Sequence, residues 1–350
     1  MKSYLIEEFG KPLQMRLRET PVPVGKEVVV RVLASGVCHT DLHVWHGFYD
    51  LGGGKRALLA DRGVRLPVTA GHEIYGEVVS VGPDVASARV GDRKIVHAWI
   101  FCRACEACRS DRELMCTNGR SLGIMRPGGF ADHVLVEDER YLVDAQGLDP
   151  SWAATLACSG LTAYSSLKHL RHLLKGDSIL IIGLGGLGLS AVNMARHVVQ
   201  ARMFGCDIDP AKRAVADSIG TEASFDSRAP GVVEDIRAKA GSGVLGVIDF
   251  VGSPSTAELA LAVLRKGGTY VNAGMMGGAI SIPLPNIVSL MLTIKPGYIG
   301  TLAEMRELVA LVQEKRIQPI PIVSRPMSEV NQVLDAMAAG HIVGRTVLQP

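Results

Sequence analysis

Ser178-Ile179-Leu180-Ile181-Ile182-Gly183-Leu184-Gly185-Gly186-Leu187-Gly188 is the stretch whose reading decides the fold. The continuous apolar run over 178–182 suits a strand buried on both faces of a parallel sheet. Gly183, Gly185 and Gly188 have the spacing G-x-G-x-x-G, with Gly186 beside them, and residues 190–199 read as a helix. A second strand, Arg202–Cys206, ends at Asp207, 19 residues past Gly188. In that context the turn reads as a dinucleotide site and not only as a packing turn. Gly183 permits the tight turn, Gly185 lets the backbone approach a pyrophosphate, and Gly188 lets helix and strand pack closely. The helix N-terminus offers free N–H groups and a positive dipole end to the phosphates. Asp207 would accept hydrogen bonds from the adenosine ribose, and its charge would repel a 2′-phosphate, which favours NAD over NADP.

Working outward, further strands are expected at 247–251 and 269–272 with helices between them. This alternation predicts a doubly wound parallel sheet. Upstream the register differs. Residues 27–33, 75–81 and Arg93–Val96 are short β-branched runs bounded by Gly, Pro or Asp, so the first half reads as β-rich. Residues 50–65 carry Gly52-Gly53-Gly54 and several charges and read as a surface loop. A helix is expected from Pro150 through 156. Past Pro296, helices are expected at 303–314 and 330–339, then a strand at 345–348.

Four cysteines, Cys102, Cys105, Cys108 and Cys116, are spaced C-x2-C-x2-C-x7-C. Four thiolates around one tetrahedral Zn²⁺ make a closed structural site with no open position. Disulfides are disfavoured: the cysteines number seven, and Met1-Lys2-Ser3-Tyr4-Leu5-Ile6 runs directly into Glu7-Glu8 with no secretory leader. Iron–sulfur runs are spaced differently. Catalysis therefore falls to the remaining cysteines and histidines. Residues 36–47 hold Cys38, His39, Thr40, Asp41, His43 and His46, while His72-Glu73 and Cys158 stand further along. Two thiolates and one imidazole form the Cys₂His zinc site that leaves its fourth position for water or substrate. Singly, each ligand would be an ordinary core cysteine or a hydrogen-bonded histidine. The combination with a nucleotide-binding half and a Cys₄ site favours the metal.

At 350 residues, two domains are expected. A net charge of +2 is too balanced to imply nucleic acid or a membrane surface. No apolar run reaches the ~18 residues of a spanning helix. A cytoplasmic protein is the expectation.

From end to end these motifs resemble the zinc-dependent alcohol dehydrogenases of the medium-chain dehydrogenase/reductase superfamily, most nearly the tetrameric microbial branch. Cys38-His39-Thr40-Asp41 and the pattern from Cys158 to Tyr164 carry the likeness. The resemblance implies an α/β protein: a GroES-like β-rich catalytic domain over 1–156, a Rossmann NAD-binding domain over 157–295, and a C-terminal return to the catalytic domain over 296–350. It implies two zinc ions per subunit, one catalytic on Cys38, His72 and Cys158, one structural on the four-cysteine cluster. Glu73 matches a carboxylate that approaches the metal during ligand exchange, and Asp41 the partner that orients His72. Thr40 matches the hydroxyl that meets the alcohol oxygen, and His43 the outer end of a proton relay. His39 and Arg345 match pyrophosphate contacts, and Lys212 a second ribose contact. Leu187 and Thr162 match residues bordering the nicotinamide. Trp45, Trp99 and Leu122 suggest an apolar pocket for aliphatic, cyclic or aromatic alcohols. The implied partner is a small alcohol or carbonyl substrate, and the implied assembly a homotetramer, with a dimer as the alternative. Glutamate often stands at the Cys158 position in polyol, sugar and amino-acid dehydrogenases, and non-catalytic relatives commonly lack the zinc ligands; both readings are disfavoured here.

Overall fold

In the computed structural model, which describes residues 1–350, the run Ser178–Ile182 is buried at all five positions. It pairs in parallel with Arg202–Cys206 on one side and Val244–Asp249 on the other. The complete sheet has six parallel strands in the order Ala223–Phe225, Arg202–Cys206, Ser178–Ile182, Val244–Asp249, Leu264–Asn272, Thr293–Pro296. Numbered by sequence this is 3-2-1-4-5-6, the doubly wound order whose reversal lies between the first and fourth strands. Leu180, Ile182, Phe204, Val244 and Val247 form the centre of its apolar core, with Ile236, Ala260 and Val263 from helices packed against it. The helices start where local chemistry starts them. Asp209 accepts from Ala211 N–H ahead of Pro210–Ile219, and Ser253 and Thr256 form a capping box ahead of Pro254–Val263.

The second body is built on a mixed sheet in the order Leu142–Asp144, Arg93–Val96, Glu73–Val81, Val28–Gly36, Arg345–Gln349, Ile322–Pro326, with His133–Val136 also on Val28–Gly36. The C-terminal strand enters this sheet antiparallel to Val28–Gly36, with Val347 opposite Gly36. By its internal contacts the chain forms two units: Met1–Phe48 with Leu58–Cys158 and Gly300–Pro350, and Tyr49–Ala57 with Ser159–Ile299. The expected fold class is the one observed: a GroES-like β-rich body and a Rossmann body. No helix is long and apolar enough to cross a membrane.

Several elements differ from the sequence reading. The helix after the glycine turn begins at Gly186, not at 190, because packing overrides the poor propensity of Gly186 and Gly188. Residues 48–58 form a hairpin, Phe48–Gly52 with Lys55–Leu58, in place of an irregular loop. Ala223–Phe225 and Thr293–Pro296, the two edge strands of the parallel sheet, are strands that the sequence reading did not find.

Candidate active site and nucleotide site

Asp41 organises the metal-ligand cluster. Cys38 is the N-cap of the helix His39–His46, and Asp41 sits in its first turn, wholly buried. One Asp41 carboxylate oxygen accepts the Cys38 backbone N–H at 2.8 Å. The other lies 3.1 Å from the Gly71 backbone nitrogen and 3.1 Å from Nδ1 of His72. One buried side chain thus joins the two ligand-bearing segments and fixes which imidazole nitrogen stays available. That nitrogen, Nε2 of His72, is buried with no hydrogen-bond partner.

Cys158 arrives from a single π turn, Leu156–Gly160, which follows the helix Pro150–Thr155. Such turns re-aim a side chain and concentrate at functional sites. Ligand atoms of Cys38, His72, Glu73 and Cys158 all lie within 4.8 Å of one another, and all four residues are buried. Glu73 fits because residue 36 is glycine: a Cβ there would fall well inside 3.0 Å of the Glu73 carboxylate. Gly36 was not singled out in the sequence; the signal available was the small-residue run Ala34-Ser35-Gly36 before Cys38.

Arg345 pairs with Glu73 and is buried with it. The structure therefore places Arg345 at the ligand cluster, where its carboxylate partner is supplied by the protein itself. The two thiols are interdependent. Cys38 is held well below the ordinary thiol value, its hydrogen bond with Cys158 being the largest cause, and Cys158 is pushed correspondingly up. Two soft sulfurs, an orphaned imidazole nitrogen and a carboxylate facing one point fit a divalent zinc ion.

Cys102, Cys105, Cys108 and Cys116 likewise have their sulfurs within 4.8 Å of one another, and no disulfide joins any of the seven cysteines. Sulfurs of Cys102 and Cys108 are 3.9 Å apart. Backbone N–H groups of Cys105 and Cys102 point at the sulfurs of Cys102 and Cys116, each at 3.4 Å. Hydrogen bonds from Ala104 and Cys105 lower the Cys102 thiol to about 6, as a thiolate ligand requires. The four sulfurs fit a closed zinc site. Cys206, the remaining thiol, is packed in its strand and pushed up to about 12, chiefly by burial.

Around the first cluster, Thr40 Oγ1 is 4.0 Å from the Cys38 sulfur. His43 lies one turn along the same helix, half-buried, and His39 is exposed. Burial, reinforced by His39, holds the His43 imidazole below its ordinary pKa. Trp99 is buried and meets the His72 ring edge-on, centroids 5.8 Å apart. Trp45 instead donates its indole N–H to the Lys11 carbonyl and stacks on His46. Leu122 is buried, its N–H bonded to the Ala98 carbonyl, and it borders a cavity of about 570 Å³ lined also by Arg18, Arg126 and His133. The structure thus brings Trp99 to the ligand cluster and gives Trp45 and Leu122 other surroundings.

In the Rossmann unit, Gly183 has φ +84°, a conformation that favours glycine. A Cβ on Gly188 would collide with the Gly183 carbonyl, whereas a Cβ on Gly185 would meet nothing within 4 Å. Gly185 thus borders open space at a helix N-terminus, a fit for a dinucleotide pyrophosphate. Gly186 and Leu187 form the first turn of that helix, half-buried. Asp207 accepts from Leu184 N–H at 2.7 Å and Asp209 N–H at 2.9 Å, which locks the end of the second strand to the glycine turn. Lys212 lies 3.8 Å from Asp209, and Thr162 is buried in the helix Leu161–Lys168. Asp249, unmarked in the sequence reading, is buried at the end of the fourth strand and accepts from Val251 and Gly252 N–H and from the Tyr270 hydroxyl. It shapes the loop at the strand-order reversal.

Residues 25–146 match the family described as alcohol dehydrogenase GroES-like domain, and residues 186–314 the family described as zinc-binding dehydrogenase. Over its full length the chain is 33% identical to an NAD-dependent alcohol dehydrogenase of Sulfurisphaera tokodaii, covering all of that protein. It is 35% identical to one from Sulfolobus acidocaldarius, again over the whole chain and 99% of the relative. Its structure is similar to the alcohol dehydrogenase of Aeropyrum pernix, with a TM-score of 0.91 and 28% identity over all of both chains.

Proposed function

The chain belongs to the zinc-containing medium-chain alcohol dehydrogenase family and is an NAD-dependent oxidoreductase, and we propose that it interconverts primary or secondary alcohols with aldehydes or ketones. The proposed range covers aliphatic, cyclic and aromatic alcohols. The observation that carries this reading is the convergence of Cys38, His72, Glu73 and Cys158, with Asp41 on one imidazole nitrogen and the other unpartnered.

When bound, zinc supplies a Lewis-acid charge that lowers an alcohol's pKa, and NAD supplies the hydride acceptor. Cys38, His72 and Cys158 would hold the metal, and Asp41 would keep the His72 ring in the binding tautomer. Thr40 would relay the hydroxyl proton, accepting it as its own passes on, and His43, on the same helix face, would receive the relayed proton and release it to solvent. A lowered pKa leaves His43 a neutral base at neutral pH. Glu73, poised beside the sulfurs, would enter as an exchangeable ligand, and Arg345 would hold it back when it is not needed. His39, Gly183, Gly185, Gly186, Leu187, Gly188, Thr162, Asp207 and Lys212 would hold the cofactor. Trp99 would wall the substrate pocket.

We propose further that the protein is a cytoplasmic homotetramer. Seven free cysteines support a reducing location. Large apolar side chains lie exposed around the edge strand Thr293–Pro296: Leu284, Val288, Met291 and Ile294. An uncovered edge strand with an apolar flank is a template for a second copy, and sedimentation analysis tests it. The function itself is tested with a panel of alcohols and both NAD⁺ and NADP⁺, followed at the absorbance of the reduced cofactor. Zinc-loaded protein that turns over no primary or secondary alcohol would refute it.

A further inference from the structure

We propose that His97 is a positioning residue for the metal-ligating histidine: wedged between two backbone carbonyls and donating to one of them, it holds Trp99 against the ring of His72. His97 is fully buried. Its Nδ1 lies 2.9 Å from the Trp99 carbonyl oxygen and its Nε2 3.2 Å from the Gly300 carbonyl oxygen. Its ring stacks on Tyr141, with centroids 6.2 Å apart and planes 16° apart, and meets Trp99 and Phe101 at 5.9 and 6.0 Å. The Tyr141 hydroxyl in turn bonds both the N–H and the carbonyl of Phe101. One imidazole therefore fastens together the strand Trp99–Ile100, the segment beginning at Gly300, and Tyr141.

Both hydrogen-bond partners of His97 are acceptors. Burial holds His97 below its ordinary pKa, so the neutral imidazole donates its one N–H to one of them and packs its ring against the other. The second carbonyl matters because Ile299, directly before Gly300, has φ +25°. A β-branched residue at positive φ persists only where its surroundings hold it. His72 is braced twice, by Asp41 through a hydrogen bond and by Trp99 through ring contact at 5.8 Å. The first brace is built into the ligand loops, whereas the second depends on His97.

This inference rests on the reading of Cys38, His72 and Cys158 as the catalytic zinc site. The test is zinc release into excess chelator from fully loaded parent, His97→Phe and His97→Gln proteins, with the catalytic phase identified as the one missing in Cys38→Ser. His97→Phe should release catalytic zinc about 3- to 10-fold faster, below the 10–100-fold typical of residues bonded directly to a ligand. The structural phase should not change, and KM should rise more for bulky alcohols than for small ones. His97→Gln should restore both properties to within about twofold, since its amide keeps an N–H donor where the neutral imidazole has one. Unchanged catalytic-zinc release and unchanged KM in His97→Phe would overturn the proposal. Equal losses in both variants would also overturn it, because the fault would then be packing and not the hydrogen bond. Parent protein lacking the catalytic phase would instead refute the zinc-site reading, before any His97 variant is compared.

Discussion

Replacing Gly185 by alanine separates what the glycine turn does for the protein from what it does for the cofactor. Gly185 caps the helix Gly186–Val198 at φ −73° and ψ −159°, angles open to any residue. A Cβ there meets no atom within 4 Å. G185A should therefore unfold within about 1 kcal/mol of the parent, the scale of a changed N-cap. Its methyl would instead occupy the space a pyrophosphate must enter. A tenfold rise in the NAD Kd, about 1.4 kcal/mol, is the least expected. At an NAD concentration of 100 times the parent Kd, bound cofactor should stabilise the parent by about 2.7 kcal/mol. The same concentration is only ten times the variant's Kd and should add at most about 1.4 kcal/mol. G188A behaves oppositely. Its Cβ falls well inside 3.0 Å of the Gly183 carbonyl, and overpacking of this kind costs about 1–3 kcal/mol, against ~1 kcal/mol gained by alanine within a helix. Thermal unfolding with and without NAD, together with titration calorimetry, reads both variants. G185A with parental NAD affinity would refute the placement of the pyrophosphate, and G185A destabilised without cofactor would refute the claim of open space.

The two zinc sites should separate by mutation: Cys105→Ser should lower Tm while the folded fraction keeps near-parental kinetics, and Cys38→Ser should abolish turnover with folding largely intact. One zinc per chain by elemental analysis of fully loaded parent would contradict this. Asp207→Ala should weaken NAD binding and narrow the preference over NADP⁺, whereas a parent enzyme with equal kcat/KM for both cofactors would remove the specificity role of Asp207. His43→Gln should slow alcohol oxidation roughly tenfold near neutral pH, below the 10²–10⁴ of a buried general base because solvent partly substitutes. Higher pH or added imidazole should recover part of the rate, and an unaltered pH–rate profile would direct the proton elsewhere. Glu139 accepts N–H bonds from Ala86, Ser87 and Ala88. Burial raises its carboxyl, but these bonds outweigh that and lower it to about 2 from 4.5. Its contribution to stability is thus present above about 4.5 and lost as pH falls towards 2. Glu139→Gln should lower Tm at neutral pH and flatten its decline over that acid window; an unchanged slope would count against the assignment.

The strands of the Rossmann body were legible where they are buried on both faces: Ser178–Ile182 and Arg202–Cys206 are bounded as their apolar runs are. Thr293–Pro296 was not, because an edge strand is exposed and its sequence, Thr-Ile-Lys-Pro, has no apolar run to read. The hairpin at 48–58 was hidden for the same reason. Its three glycines, all at positive φ, and the Asp50 carboxylate bonded to Gly52 N–H make the turn, but the flanking strands are short and their apolar residues are interrupted by Asp50, Lys55 and Arg56. Both zinc ligand sets were legible because cysteine and histidine carry their chemistry in their names. The support around them was not. Gly36 acts by having no side chain, Arg345 meets Glu73 from 272 residues further along the chain, and His97 bonds backbone that any sequence supplies.

The strand Arg345–Gln349 has a consequence for the order of biosynthesis. A ribosome finishes the whole of Tyr49–Ala57 and Ser159–Ile299 before it reaches that strand, so the nucleotide-binding unit has all its parts while the other unit still lacks an internal strand of its sheet. Until Arg345–Gln349 is made, Ser35 and Gly36 lack their partner on one side and Glu73 has no guanidinium opposite it. The metal-ligand cluster is thus completed only after the nucleotide-binding unit has all its parts.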